Sequence, residues 1–252
     1  MNKDVVRQTI NILAVVLALT VNVLAIAVPL NGQDTAEISD RFKVYFVPAG
    51  YVFLIWNIIF IGWIAFSVYQ AQRAQRQNPR LRRLGYLFVA SEFLIAAWLF
   101  CWHYNFFGLS VLVMLLLLGS VMGSYLALNV GKENVSTREK WSVDVPFSIY
   151  LGWISVATVA NITDWLYFIN WDGFGINPQV WAVIMLVIVS IVGVLMTFIR
   201  LDSGYVFVLA WAFTGIAVKQ AAFPLVANSA WVASAFTLGL AIYSIVQRRS
   251  IK

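Results

Sequence analysis

A chain of 252 residues that is 62% hydrophobic and only 11% charged, with a mean hydropathy of +0.83, lacks the polar surface of a soluble domain. It reads as an all-α polytopic membrane protein. The net charge of +6 sits in short loops rather than on one soluble face, which excludes a nucleic-acid partner, and a single Cys101 and a single His103 exclude an intrachain disulfide and a clustered metal site.

In chain order, Lys3 and Arg7 precede an apolar run, and Ala25-Ile26-Ala27 has the look of a signal-peptide cleavage site. The run from about Ile10 to Leu30 is nevertheless long enough to span a bilayer, so it reads as a retained first helix. Eight apolar segments are predicted, at 8–30, 46–69, 84–104, 107–129, 143–164, 179–199, 204–222 and 229–247. Each is long enough for about 30 Å of hydrocarbon at 1.5 Å per residue.

The connection Asn31 to Tyr45 carries Asp34, Glu37 and Asp40 against Arg41 and Lys43. A loop of this length suits a lid over a binding site or a solvated spacer. It leads into Pro48-Ala-Gly-Tyr51-Val-Phe53-Leu-Ile-Trp56-Asn57, where proline fits the first turn of a helix. Tyr51, Trp56, Phe60 and Trp63 recur at steps of five, four and three, which predicts one broad helical face. That face suits an interfacial belt or one wall of an aromatic ligand pocket. Trp56 and Asn57 lie about 12 Å deeper than Pro48, which favours the pocket for them; Tyr51 fits either.

The arginine-rich stretch from Arg73 to Arg83 is explained by topology and anionic lipid. Beyond it, the membrane segments keep Glu92 and Lys219, although an ionisable group there costs roughly 2.5–3.5 kcal/mol. Glu92 lies about 12 Å and Lys219 about 22 Å from the same side, which argues against a direct bridge. Lys219 can snorkel outward past Phe223. Glu92 cannot, and is the better candidate for a proton or polar site. A retinal Schiff base on Lys219 is rejected, because its helix would run in the wrong direction and an eighth segment follows.

His103 sits at an interface, where it belongs to an aromatic belt or faces a pocket beneath the Asn31–Tyr45 loop. In the fourth segment, Gly119-Ser-Val-Met-Gly123 suits a homodimer face or close packing within the chain. No nucleotide loop, nucleophile elbow or zinc-spaced histidines occur, so no catalytic residue is assigned. The basic residues Lys3, Arg7, Arg73, Arg76, Arg80, Arg82, Arg83, Lys132, Arg138, Lys140, Arg200, Arg248, Arg249 and Lys252 all fall on one side, against Arg41 and Lys43 on the other. The positive-inside rule then puts both termini in the cytoplasm, with the chain in the cell (inner) membrane.

The first 165 or so residues resemble the tryptophan-rich sensory protein family, also known as the TspO, translocator or peripheral benzodiazepine receptor family. The likeness runs from the long first loop through Pro48-x-Gly-Tyr-Val-Phe-x-x-Trp56, Trp98 and Phe107-Gly-Leu-Ser. It continues into Pro146-Phe147-x-x-Tyr-x-x-Trp153-x-Ser155-x-Ala157-Thr158-x-x-Asn161. Ala49 stands where a second proline is usual, and Ile95 stands near the place of an asparagine. The resemblance implies a five-helix core, residues 1–170; the three further apolar segments make an extension, residues 171–252. It implies binding, sensing or transport of a hydrophobic planar ligand, porphyrin- or sterol-like, with a bound tetrapyrrole as one form. It implies Tyr51, Trp56, Trp98, Trp153, Ala157 and Asn161 as lining residues. The bottom-up reading adds Asn57, Glu92 and His103. A proton-coupled transporter using Glu92 and a membrane-embedded enzyme acting on lipid or porphyrin are the alternatives.

Overall fold

The computed structural model of the chain describes residues 2–28 and 30–250. Lys252 and the side chains of Ile26 and Arg249, named above, lie outside the described residues. Among the described residues there is no strand. The long helices are α1 (Lys3–Ala27), α2 (Ile55–Gln70), α3 (Leu87–His103), α4 (Phe107–Ala127), α5 (Val145–Phe168), α6 (Pro178–Arg200), α7 (Ser203–Lys219) and α8 (Pro224–Ser250). One helix falls in each apolar segment. Six helical stretches among the described residues are long and apolar enough to cross a membrane, whereas α3 and α7 are apolar but only 17 residues each. The chain is therefore a multi-pass, all-helical membrane protein.

Local chemistry sets the helix ends. Asn177 accepts a hydrogen bond from the Gln179 N–H ahead of Pro178, and Asp202 accepts one from the Tyr205 N–H at the start of α7. Asn105, Asn129 and Asn170 each follow a helix by two residues, with φ of 63°, 50° and 55°. Asparagine tolerates this left-handed conformation better than most residues, and it stops α3, α4 and α5.

The helices pack as neighbours in sequence and beyond it. α5 touches α2, α4 and α7, while α7 also touches α6 and α8, and α1 packs on α2 and α3. Trp63, Phe66, Phe88, Tyr150 and Phe213 are fully buried in the core. The junction of α5 with α7 is close. A Cβ at Gly152 would come within 3.0 Å of the Tyr205 carbonyl oxygen and of Val208 Cβ. On α7, Gly215 leaves room for Val52 and Pro48, and its carbonyl accepts the Ala49 N–H at 3.1 Å.

The connections fall into two sets. At one end Arg41 donates to Asn105 at 2.6 Å, Phe42 meets Phe107 at 5.0 Å, Tyr45 meets Phe223 at 4.9 Å, and Lys219 pairs with Asp40. This is the lid end. At the basic end Arg7 donates to the Arg76 carbonyl at 2.8 Å, Arg83 pairs with Glu133, and Arg200 donates to the Val130 carbonyl at 3.2 Å. Arg80 is buried there, bonded to Asp144 at 2.6 Å, Glu139 at 2.7 Å and the Leu128 carbonyl at 2.7 Å. Burial works against the charge on Arg80, but the hydrogen bonds and charges of Asp144 and Glu139 outweigh it and hold its pKa above the ordinary arginine value.

Candidate functional site

The loop at the lid end is locally ordered. Asp34 accepts the Ala36 and Glu37 N–H groups at 2.8 Å each, and Glu37 reaches back to the Asp34 N–H at 2.9 Å. This reciprocal cap starts a short helix, Thr35–Asp40. The helix is tied to the end of α3. His103 is fully buried; its Nδ1 donates to the Leu30 carbonyl at 3.0 Å and its Nε2 meets Thr35 Oγ1 at 3.0 Å. Asn31 donates to the His103 carbonyl at 3.0 Å, and Trp102 Nε1 donates to the Thr35 carbonyl at 3.3 Å. His103 therefore fastens the loop, and with both ring nitrogens engaged it offers no ligand to a metal or a tetrapyrrole in this arrangement.

Beneath the loop lies a cavity of about 40 Å³. Thr35 and Ser39 roof it; Val47, Pro48 and Phe53 form one side; Trp98 and Trp102 of α3 face Trp153, Val156, Ala157, Ala160, Asn161 and Asp164 of α5. Small-molecule sites usually measure about 300–1,000 Å³, so the cavity as it stands has room for water-sized occupants only. Its walls are joined by ring contacts and hydrogen bonds. Trp98 and Trp102 stack at 5.6 Å and 17°, and Phe53 meets Trp153 edge-on at 5.7 Å. Trp98 Nε1 donates to Asn161 Oδ1 at 2.9 Å, and Asn161 Nδ2 donates to Ser110 Oγ at 3.0 Å. Asp164 is 2% exposed, and its Oδ1 has no hydrogen-bond partner. The charged groups that act on it are Lys219 and Asp40, themselves an ion pair.

Of the residues expected from sequence, Trp98, Trp153, Ala157 and Asn161 line this cavity. Trp56 lies behind it, in a wall of rings with Phe60 at 5.8 Å, Trp63 at 6.2 Å, Trp153 at 6.3 Å and Tyr150 at 6.5 Å. Tyr51 does not share that face. It belongs to a 3₁₀ turn, Gly50–Leu54, whose tighter winding turns it away from Trp56. Its ring meets Trp211 of α7 at 5.4 Å on the outside of the bundle. Asn57 is exposed on the outer face of α2. His103 sits above the cavity as a loop anchor rather than in its lining.

Glu92 and Lys219 do not meet, since Lys219 reaches the lid end and pairs with Asp40. Glu92 is fully buried and accepts from Ser91 Oγ at 3.4 Å. Its Oε2, the Trp63 and Trp153 indole nitrogens and the Tyr150 hydroxyl have no hydrogen-bond partners. Sequence reasoning missed Trp102 and Asp164 as cavity residues. The signal was present: Trp102 is one helical turn beyond Trp98, and Asp164 lies three residues beyond Asn161. Among the described residues no group of three or more His, Cys, Asp or Glu residues could hold a metal ion.

The family model described as TSPO-like protein matches residues 8–243, so the match runs past α5 and into α8. No curated protein and no solved structure matches the chain.

Proposed function

The chain belongs to the TSPO-like protein family, and from that premise we propose that it binds a hydrophobic planar ligand, porphyrin- or sterol-like, beneath the lid-end loop. In this reading all eight helices cross the membrane, α3 and α7 at the short end of the usual length range. The basic end faces the cytoplasm. Residues 1–170 carry the ligand site, and residues 171–252 buttress it through α7. One observation carries the reading: Trp98, Trp102, Trp153, Ala157 and Asn161, from two helices, converge on one cavity under a fastened loop. Two stacked indoles and a third facing them make a flat apolar wall that suits a planar ring system. Because the cavity is small, it must enlarge to take the ligand, and in this reading it does so when the His103–Thr35 and His103–Leu30 contacts part and the Thr35–Asp40 helix lifts. The experiment is a fluorescence titration of protoporphyrin against purified protein in nanodiscs. Trp98→Ala and Trp153→Ala are expected to weaken binding by about tenfold or more, which is about 1.4 kcal/mol. Binding as tight as wild type in both variants would remove the site.

A second reading, proton-coupled transport, rests on Glu92, whose Oε2 lacks a partner among buried rings. A buried carboxyl group within a membrane bundle is a natural proton site. Substrate flux driven by a pH gradient in proteoliposomes, lost in Glu92→Gln, would favour this reading. Flux unchanged in that variant would discard it.

A further inference from the structure

Among the described residues that line the cavity beneath the loop, Asp164 is the one ionisable group. It is 2% exposed, and its Oδ1 has no hydrogen-bond partner. A carboxylate enclosed in a membrane bundle calls for an opposite charge. Lys219 does not serve: it is bonded to Asp40, and at Asp164 the charge of Asp40 opposes that of Lys219. The N–H groups of the lining near Asp164 are already given away. Trp98 donates to Asn161 Oδ1 at 2.9 Å, Asn161 to Ser110 Oγ at 3.0 Å, and Trp102 to the Thr35 carbonyl at 3.3 Å. The ring proton of His103 lies on Nδ1, toward the Leu30 carbonyl, so Thr35 donates its hydroxyl proton to Nε2. What remains for a ligand at this end is a set of acceptors: the Asp164 carboxyl group, the Thr35 and Ser39 oxygens and the indole faces. Oxygen acceptors and indole faces both favour a cation. Trp153 keeps an unpartnered N–H, but it stands about 16 Å back along α5, at the inner end beside Phe53.

We propose that the planar ligand carries a protonated amine, held by Asp164 beneath the Thr35–Asp40 helix, with its apolar body along the indoles toward Trp153. On the planar-ligand reading, which this rests on, Asp164 sets the charge and the orientation of what binds. The ammonium N–H groups donate to the carboxylate in an ion pair shut away from water, where charge-assisted hydrogen bonds are strong. The pair also offsets the cost of burying the acid. A neutral ligand of the same shape leaves the acid unpaired.

The test compares two fluorescent probes of one shape, 9-(aminomethyl)anthracene and 9-(hydroxymethyl)anthracene. Each is titrated at neutral pH against purified protein in phosphatidylcholine nanodiscs, with empty nanodiscs subtracted. Wild type is expected to bind the amine about tenfold or more tighter than the alcohol. Asp164→Asn, which keeps the shape of the side chain, is expected to lose that advantage and to bind the alcohol as wild type does. Trp98→Ala is expected to weaken both probes, because both lie on the indoles. Equal binding of amine and alcohol by wild type overturns the proposal, and so does an amine advantage that survives Asp164→Asn. Protoporphyrin tells the two failures apart. If Trp98→Ala weakens protoporphyrin while the amine has no advantage, the cavity stands and only the amine is lost. If neither protoporphyrin nor the anthracenes respond to Trp98→Ala, the cavity itself is the wrong site and the amine falls with it.

Discussion

Asp164 contributes a carboxyl group to a cavity lined mostly by apolar residues, Trp98, Trp102 and Trp153 among them, and one of its oxygens has no partner. Taking an ion out of water costs several kcal/mol unless it is paired, so an acid at this place works against folding. Asp164→Asn keeps the shape and removes the acid, and we expect it to raise the thermal midpoint in detergent. A midpoint left unchanged or lowered would show that the carboxyl group stabilises the fold. Asn161 acts differently, because its side chain links Trp98 to Ser110 across the bundle. Asn161→Ala strands an indole N–H and is expected to cost about 1–3 kcal/mol, read as a lower thermal midpoint in detergent.

At the scale of elements, Arg80 joins the short helix Pro79–Leu84 to the end of α4 and to the turn ahead of α5. Arg80→Ala leaves Asp144 and the Leu128 carbonyl buried without their partner, and is expected to cost about 3–5 kcal/mol. Arg83→Ala removes a half-exposed ion pair with Glu133 and is expected to cost about 1 kcal/mol or less. Thermal unfolding of the two variants side by side separates the cases, and equal losses would contradict the assignment. Glu133 adds a pH dependence. Burial acts to raise its pKa, yet hydrogen bonds from Asn129 and Arg83 and the charges of Arg83 and Arg80 hold it below its ordinary 4.5. A carboxyl group lowered in the folded state stabilises fully above pH 4.5, and that contribution disappears as the pH falls through the lower folded-state value. The thermal midpoint is therefore expected to fall below pH 4.5, and to fall less steeply in Glu133→Gln.

For the whole molecule, α7 decides how the last three helices relate to the rest. It packs on α5 through Gly152, receives the Pro48 turn at Gly215, and pairs with the loop through Lys219 and Asp40. The loop at the cavity is thereby tied to a helix far along the chain. The alternation of lid-end and basic-end connections also makes a topological prediction. In a Cys101→Ala background, Glu37→Cys is expected to react with an impermeant thiol reagent from the outside, and Lys132→Cys only after the membrane is opened. Labelling of both from one side would refute the eight-crossing arrangement.

The apolar segments and the gathering of the basic connections at one end were legible in the chain itself, because each depends on residues close together in sequence. So were four residues of the cavity wall, since Trp98, Trp153, Ala157 and Asn161 stand in a recognisable order on two helices. Four features lay beyond that local information. Tyr51 left the face of Trp56 because a 3₁₀ turn, docked on α7, changed the helical phase. Lys219, which its depth already kept from Glu92, found Asp40 because two distant connections meet at one end of the bundle. Asp164 joined the site because the Thr35–Asp40 helix covers it, and a largely apolar groove on the flank of the bundle exists only where α5, α7 and α8 come together. Local sequence decides where a helix starts, stops and enters a membrane; which faces then enclose a cavity is settled by packing between residues far apart in the chain.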